Sequence, residues 1–292
     1  MISIIIPAYN EEKSIKDTLE RVFAVCKSSF KEFEVVVVND GSTDKTIEII
    51  EKFSSSHLKI INRGYNKGYG ASLKEGINFS SGEIIAISDA DGTYPVEVLP
   101  KLVEQVQSGY SMAVGARKGR YRNTPFSKAL PKLILDKVAN IVAGQKIPDI
   151  NSGLRVFRKK DVSPFFNIIS DRFSFTTTIT LSYLSNGLSV SYVPIEYHKR
   201  EGKSKVKAKD AVEFLSLILR TIMYFNPLRI FAPVAFFLMG IGVLKFIYDL
   251  FNEPFLNITP SVIFVFLTGI QILAIGMLAD LIKVTRKQYM QI

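Results

Sequence analysis

Two carboxylates one residue apart, Asp89 and Asp91, occupy the run Ser88-Asp-Ala-Asp-Gly92, directly after the apolar stretch Ile84–Ile87. In a loop at the end of a strand, such a pair can serve one hard divalent cation. Mg²⁺ and Mn²⁺ prefer oxygen ligands and bridge phosphate oxygens. Acidic triplets are common in solvated loops, so the spacing alone carries little weight. A second acid-tipped strand adds to it: Val35-Val-Val-Val-Asn-Asp40 ends on Asp40. In open parallel sheets, ligands bind beyond the carboxyl ends of strands. The chemistry expected of these acids is to hold a hard cation that bridges phosphate oxygens.

The positive charge has a matching pattern. The chain carries 37 Lys and Arg against 27 Asp and Glu, a formal net charge of +10. Its basic runs lie at 117–132 and 199–209, before amphipathic and strongly apolar segments. No nucleic-acid-binding signature accompanies them, so lipid headgroups and phosphates are the expected partners, with no nucleic acid. One Cys and two His exclude an internal disulfide and a Cys/His zinc site. Cys26 falls on the apolar side of a predicted helix with Ile15, Leu19, Val22 and Phe23, and reads as core. His57 and His198 are isolated and read as surface or structural residues.

The elements that must position these residues alternate. Strands are predicted at 1–7, 34–39, 58–61, 83–88 and 111–116, and helices at 11–28, from 42 onward, at 69–79 and at 96–106. Short loops join them. This pattern implies an α/β fold with a mostly parallel sheet covered by helices on both faces. Residues 125–143 carry an apolar stripe (Phe126, Leu130, Leu133, Ile134, Val138, Ile141, Val142) that fits either a core or a bilayer surface. Short strands are predicted at 189–193 and 196–198, on either side of Pro194. Gly68 and Gly70 fit a tight strand-to-helix turn. The spacing of a dinucleotide-binding fingerprint is missing there.

The tail differs in kind. Residues 210–225 read as an interfacial helix. Residues 230–251 and 258–282 are each long enough to cross a hydrocarbon core of ~30 Å. Lys245 and Asp249, four apart, are expected to pair or snorkel. The turn between the spans has Glu253 and no Lys or Arg, whereas the flanks carry Arg229, Lys283, Arg286 and Lys287. The positive-inside rule puts the turn outside and both flanks in the cytoplasm. No N-terminal leader is visible, so the head is expected in the cytoplasm and the chain as an integral protein of two spans. The expected organisation is a catalytic domain at 1–206, an interfacial helix at 207–228 and a two-span anchor at 229–292.

Seven short motifs stand in order: 6–12 (IPAYNEE), 37–44 (VVNDGSTD), 66–71 (NKGYGA), 89–91 (DAD), 114–117 (VGAR), 149–155 (DINSGLR) and 202–205 (GKSK). Together they resemble the family 2 glycosyltransferases of GT-A fold, and within them the polyisoprenyl-phosphate glycosyltransferases that include dolichyl-phosphate mannose synthase. The resemblance implies that Pro7, Tyr9 and Glu11 cradle the base and ribose of a nucleotide-sugar, with Val38 and Asp40 as the next nucleoside contacts. It implies that Asp89, Ala90 and Asp91 hold the diphosphate and Mg²⁺ or Mn²⁺, with Asp91 foremost as direct ligand. Arg117 and Lys205 fall near the phosphates, and either Lys199 or Arg200 matches a further basic position. Lys132, in the first basic run, is a further expected contact for the acceptor phosphate. Asp149 either orients the acceptor or sugar, or fixes its own loop. Arg155 is expected to pair with a core carboxylate. Thr93 stands where relatives have Gln, and the absence of Trp rules out the Gln-x-x-Arg-Trp motif of processive synthases.

The expected activity is one metal-dependent, inverting transfer from a nucleotide-sugar, UDP-hexose before GDP-mannose, to undecaprenyl or dolichyl phosphate at the membrane. A phosphate monoester is largely dianionic at neutral pH, so it attacks an anomeric carbon with little need of a base. A glycerolipid or glycan acceptor is the second reading, and a non-catalytic membrane scaffold the third. A homo-oligomer is compatible with the sequence.

Overall fold

The computed structural model describes residues 1–119, 126–172, 174–197, 223–252 and 259–290. They divide into two compact units, one of Met1–Lys132 with Ile147–Asp210, the other of Leu133–Lys146 with Ala211–Ile292.

The first unit is built on a seven-stranded sheet: β1 (Ile2–Ala8), β2 (Phe33–Asp40), β3 (Leu58–Arg63), β4 (Ile84–Ile87), β5 (Met112–Arg117), β6 (Arg155–Arg158) and β7 (Val190–Ile195). Their order across the sheet is β3-β2-β1-β4-β6-β5-β7. All pairings are parallel except those of β6, which runs antiparallel to β4 and β5. Helices α1 (Ile15–Ser29), α2 (Thr46–Lys52), α3 (Tyr69–Phe79) and α4 (Leu99–Gln107) lie between the strands in sequence. Both faces of the sheet are covered. Ile4, Ile6, Val35 and Val37 enter one apolar cluster with Leu19, Val22 and Cys26 of α1. Ile5, Val36 and Val38 enter the other with Leu73 and Ile77 of α3. A strand covered on both sides is mostly apolar, which is why β1 and β2 are rich in Ile and Val, with Ser3 and Glu34 as buried exceptions. Cys26 is fully buried, and burial pushes its thiol pKa up to about 12, as expected of a core residue.

One expectation needs correction. The residues around Pro194 form one strand, β7, that runs through the proline. Among the described residues β7 is an edge strand paired with β5 alone, so the missing N–H of Pro194 breaks no essential ladder bond. Sequence patterning also gave no element at β6 or at the helix Phe175–Ser185. After α5 (Phe126–Ala143) and the short α6 (Lys159–Val162), this helix is α7.

In the second unit, α8 (Leu228–Asn252) and α9 (Pro260–Met290) form an antiparallel pair in which glycines allow close approach. A Cβ on Gly276 would lie 2.6 Å from Phe231 Cβ. Lys245 pairs with Asp249 at 2.9 Å, as expected, and the Thr259 hydroxyl donates to the other Asp249 oxygen at 2.6 Å. Leu228–Asn252 and Pro260–Thr285 have mean hydropathies of 2.2 and 2.4, and only 11% and 22% of their apolar windows are buried. A soluble core hairpin would be mostly buried; among the described residues this one is mostly exposed. In the same unit, Arg229 donates to the carbonyls of Ile141 and Val142, the last turn of α5, beside Gly144 in the left-handed conformation (φ 74°). The expected interfacial helix falls on 207–222, outside the described residues, apart from its end at 223–225.

Candidate active site

The sheet order reverses between β1 and β4, the place where open α/β sheets bind ligands beyond the carboxyl ends of their strands. The parallel ladders bring the ends of β1, β2, β4, β5 and β7 to one edge, together with the start of β6. The loop after β1 is latched to the loop after β2. Asn10 N–H donates to the Ser42 hydroxyl at 3.0 Å, Thr43 N–H to Asn10 Oδ1 at 2.8 Å, and Glu11 N–H to the Thr46 hydroxyl at 2.8 Å. This fixes the backbone of Tyr9–Glu11. Pro7 pairs with Val38 in the ladder, and the Val38 side chain is sealed in the core, so any contact it makes beyond the sheet is through its backbone.

Asp40 is buried and heavily engaged. Its Oδ1 accepts from Arg63 Nη1 and Lys67 N–H, both at 2.9 Å, and its Oδ2 from Gly68 N–H at 2.9 Å. The acid thereby shapes the turn that starts α3. Gly70 packs that turn against the chain at Ser170–Asp171, where a Cβ would meet Ser170 O. Tyr69, the first residue of α3, donates its hydroxyl to Asp89 Oδ1 at 2.8 Å. Burial and the neighbouring Asp89 charge push the Tyr69 pKa well up, so the phenol keeps its proton.

Ala90 is buried in the core, and its carbonyl accepts from the Thr18 hydroxyl of α1 at 3.1 Å. It pins the acidic loop between two half-buried carboxylates. Asp91 Oδ1 accepts from the Thr93 hydroxyl at 2.6 Å and from Thr93 N–H at 3.2 Å. Gly153 lies against Asp89: a Cβ there would stand 2.7 Å from Oδ2 and 2.8 Å from Oδ1. Its N–H donates to the Tyr94 hydroxyl at 2.7 Å.

Arg117, at the end of β5, forms a two-pronged pair with Asp149: Nε to Oδ2 at 2.7 Å and Nη2 to Oδ1 at 2.9 Å. Asn151 N–H also donates to Asp149, at 3.1 Å. Burial pulls the Arg117 pKa down, but Asp149 outweighs it and the net shift is upward, so the guanidinium stays charged. Asp149, fully buried, therefore fixes its loop and the guanidinium together. Arg155 departs from expectation. It is fully buried, and its bonds go to the carbonyls of Ser152 (2.6 Å) and Ile150 (2.7 Å) and the Thr180 hydroxyl (2.6 Å), not to a carboxylate. It braces the 149–155 loop from below.

Of Lys132, only its place in α5 is described, and Lys199, Arg200, Lys205 and His198 lie outside the described residues. His57 stacks on Phe33 at 4.6 Å, a structural contact. Among the described residues no group of three or more His, Cys, Asp or Glu could hold a metal. Two carboxylates do fit a cation that completes its shell from diphosphate oxygens and water. Patterning passed over Arg63, Tyr69, Tyr94 and Tyr197. Arg63 had a signal: it pairs in register with Asp40 on the neighbouring strand. Tyr69 stood inside the 66–71 motif without a role assigned to it, and Tyr94 and Tyr197 had no signal, because an aromatic near a strand end usually packs in the core.

The family model for glycosyl transferase family 2 matches residues 3–166. The chain belongs to that family. This glycosyltransferase also matches the GtrB C-terminal hairpin over residues 226–283, which takes in α8 and most of α9. It is 29% identical over 295 residues to an undecaprenyl-phosphate 4-deoxy-4-formamido-L-arabinose transferase of Pseudomonas fluorescens (strain SBW25), covering 96% of this chain and 83% of the relative. It is 31% identical over 231 residues to a dolichol-phosphate mannosyltransferase of Pyrococcus furiosus, covering 76% of this chain and 64% of that one. Among solved structures it resembles glucosyl-3-phosphoglycerate synthase of Mycobacterium tuberculosis, crystallised with Mn²⁺, UDP and glucosyl-3-phosphoglycerate. The TM-score is 0.59 at 16% identity, over 76% of this chain and 78% of that one, a likeness of fold. The glycosyltransferase thus has a GT-A-like α/β domain and a C-terminal hairpin fit for a membrane.

Proposed function

We propose that this family 2 enzyme transfers one sugar, with inversion, from a nucleotide-sugar to a polyisoprenyl phosphate, undecaprenyl or dolichyl, at the cytoplasmic membrane face. A UDP-hexose is the favoured donor and GDP-mannose the next. The observation that carries the reading is the meeting, at one sheet edge, of the Asp89–Asp91 loop with the Asp149-clamped Arg117. The two relatives, an undecaprenyl-phosphate transferase and a dolichol-phosphate mannosyltransferase, suggest the acceptor class.

Tyr9 and Glu11, on the loop latched to Ser42–Thr46, cradle the nucleoside, and Asp40 holds the turn that borders it. Asp89 and Asp91 bind Mg²⁺ or Mn²⁺, which when bound offsets charge on the departing nucleoside diphosphate. Tyr69 and Thr93 set the two carboxylates before any ligand arrives. Arg117 holds the acceptor phosphate, and Lys132, Lys199, Arg200 and Lys205 are proposed to add positive charge. The engagement of the acids favours a phosphate over a hydroxyl acceptor. Asp40 and Asp149 are both paired with guanidinium groups and serve to hold Arg63 and Arg117 in place. A hydroxyl acceptor needs a proton removed, whereas a phosphate dianion does not.

The test is a donor screen with purified full-length protein, Mg²⁺ or Mn²⁺, and polyprenyl phosphate or diacylglycerol as acceptor. Labelled sugar is expected on polyprenyl phosphate alone, with inverted anomeric configuration by NMR, and no product in excess EDTA. Product on diacylglycerol would overturn the acceptor, and full activity in EDTA the cation. Asp91→Asn should lower kcat by about 10²-fold or more.

A further inference from the structure

Tyr197 follows β7, and nothing in the residue pattern gives it a role, yet the elements of the site converge on it. Its ring centroid lies 5.2 Å from Arg117 Cζ, within reach of a cation–π contact. It meets the Tyr94 ring at 5.2 Å with the planes 73° apart. Its hydroxyl is hydrogen-bonded to the Thr93 side chain. Thr93 gives its hydroxyl proton to Asp91 Oδ1 at 2.6 Å. A hydroxyl has one proton to give, so Thr93 accepts from Tyr197. Despite these engagements the residue is 41% exposed, which sets it apart from the core aromatics.

We propose that Tyr197 is a positioning residue with two separable arms: its ring braces the Arg117 guanidinium, and its hydroxyl, relayed by Thr93, sets the Asp91 carboxylate. The proposal rests on the reading of Asp91 as a cation ligand and Arg117 as the acceptor-phosphate ligand. Each arm then has its own readout. The ring acts on Arg117 and so on acceptor KM. The hydroxyl acts on Asp91 and so on cation affinity, in the way that groups behind a ligand tune a metal site.

The experiment uses the full-length protein in detergent. Mn²⁺ affinity is read from the EPR signal of free Mn²⁺, in the presence of whichever of UDP or GDP supports binding by the unaltered enzyme. Acceptor KM is read separately. Tyr197→Phe should weaken Mn²⁺ binding by about tenfold while acceptor KM stays within about twofold. Thr93→Val should match it, and the double variant should be no weaker than either, because both cut one relay. Tyr197→Leu should add a rise of about tenfold in acceptor KM. Tyr197→Trp, which keeps a ring face without the phenol, should return acceptor KM toward that of the Phe variant and leave Mn²⁺ weak.

Unchanged Mn²⁺ binding in Tyr197→Phe would overturn the hydroxyl arm. Acceptor KM equal in the Leu and Phe variants would overturn the ring arm. Unaltered enzyme that binds no Mn²⁺ with either nucleotide would strike the cation reading itself and the hydroxyl arm with it. The ring arm would still be decided by acceptor KM.

Discussion

At the scale of single residues, the acids were legible because their type announces their chemistry, and their supports were not. Asp40, Asp89 and Asp91 follow apolar runs in the sequence. Arg63 pairs with Asp40, but Asp89 accepts from a tyrosine and Asp91 from a threonine, and a tyrosine or glycine carries no functional mark until a fold puts it beside a carboxylate. Gly153 is the clearest case. Its Cα lies so close to Asp89 that an added methyl would stand 2.7 Å from a carboxylate oxygen. Real Cβ atoms do not approach that closely, so either the acid or the 149–155 loop must move. Arg155 and Asp149 hold the loop, so the acid should yield. Gly153→Ala is therefore expected to lower kcat by about 10-fold or more, since small misplacements of a catalytic group are costly. Steady-state kinetics should show the loss in kcat, with donor KM little changed and the thermal midpoint within a few degrees, about the scale of a 1 kcal/mol change.

At the scale of elements, what the sequence disclosed depended on burial pattern. Strands covered on both faces announce themselves as runs rich in Ile and Val. β6 is four residues long with Arg at both ends, and its antiparallel place between β4 and β5 is set by tertiary contacts alone. α7 is buried almost all round, so it shows no apolar stripe. Its run of Thr also disfavours a helix until hydroxyls bond back to the preceding turn, as Thr178 does to Ser174 O and Thr180 to Thr176 O. The end of the sheet away from the site carries a second buried polar knot. Glu34 on β2 accepts from the Ser3 hydroxyl on β1 at 2.6 Å and pairs with Lys59 on β3 at 2.6 Å. Burial pushes the Glu34 carboxyl up, but Lys59, Ser3 and the Ser81 N–H outweigh it, and its pKa ends below the ordinary 4.5. A carboxyl with a lowered folded-state pKa binds fewer protons folded than unfolded. Its contribution is thus present above the ordinary value and lost as pH falls through the folded one. Glu34→Ala should cost about 1–3 kcal/mol at neutral pH, because it strands the Ser3 and Ser81 donors. The gap between variant and parent should narrow below about pH 4 in thermal melts taken across pH.

At the scale of the whole molecule, hydropathy disclosed the hairpin, because a span in lipid must be apolar over its full length and has few ways to hide. Which side of the membrane each end occupies follows from charge, not from packing. The segment between α8 and α9 carries Glu253 and no Lys or Arg, while Arg229 precedes the first span and Lys283, Arg286 and Lys287 follow the second. The excess of positive charge stays on the cytoplasmic side, so residues 253–258 are proposed to face outward and residues 1–197 inward. The chain offers a clean way to read this, because Cys26 is its one cysteine and is fully buried. A single cysteine introduced in the turn, Asn257→Cys, should be labelled by a membrane-impermeant maleimide in intact cells. One introduced on the exposed face of α1, Lys16→Cys, should be labelled only after the membrane is opened. The reverse pattern would put the nucleotide-binding edge on the side where nucleotide-sugars are scarce, and the proposed reaction could not run there. Labelling of both sites in intact cells would mean that the hairpin lies on the membrane instead of crossing it, and the uncovered apolar faces of α8 and α9 would then need a protein partner.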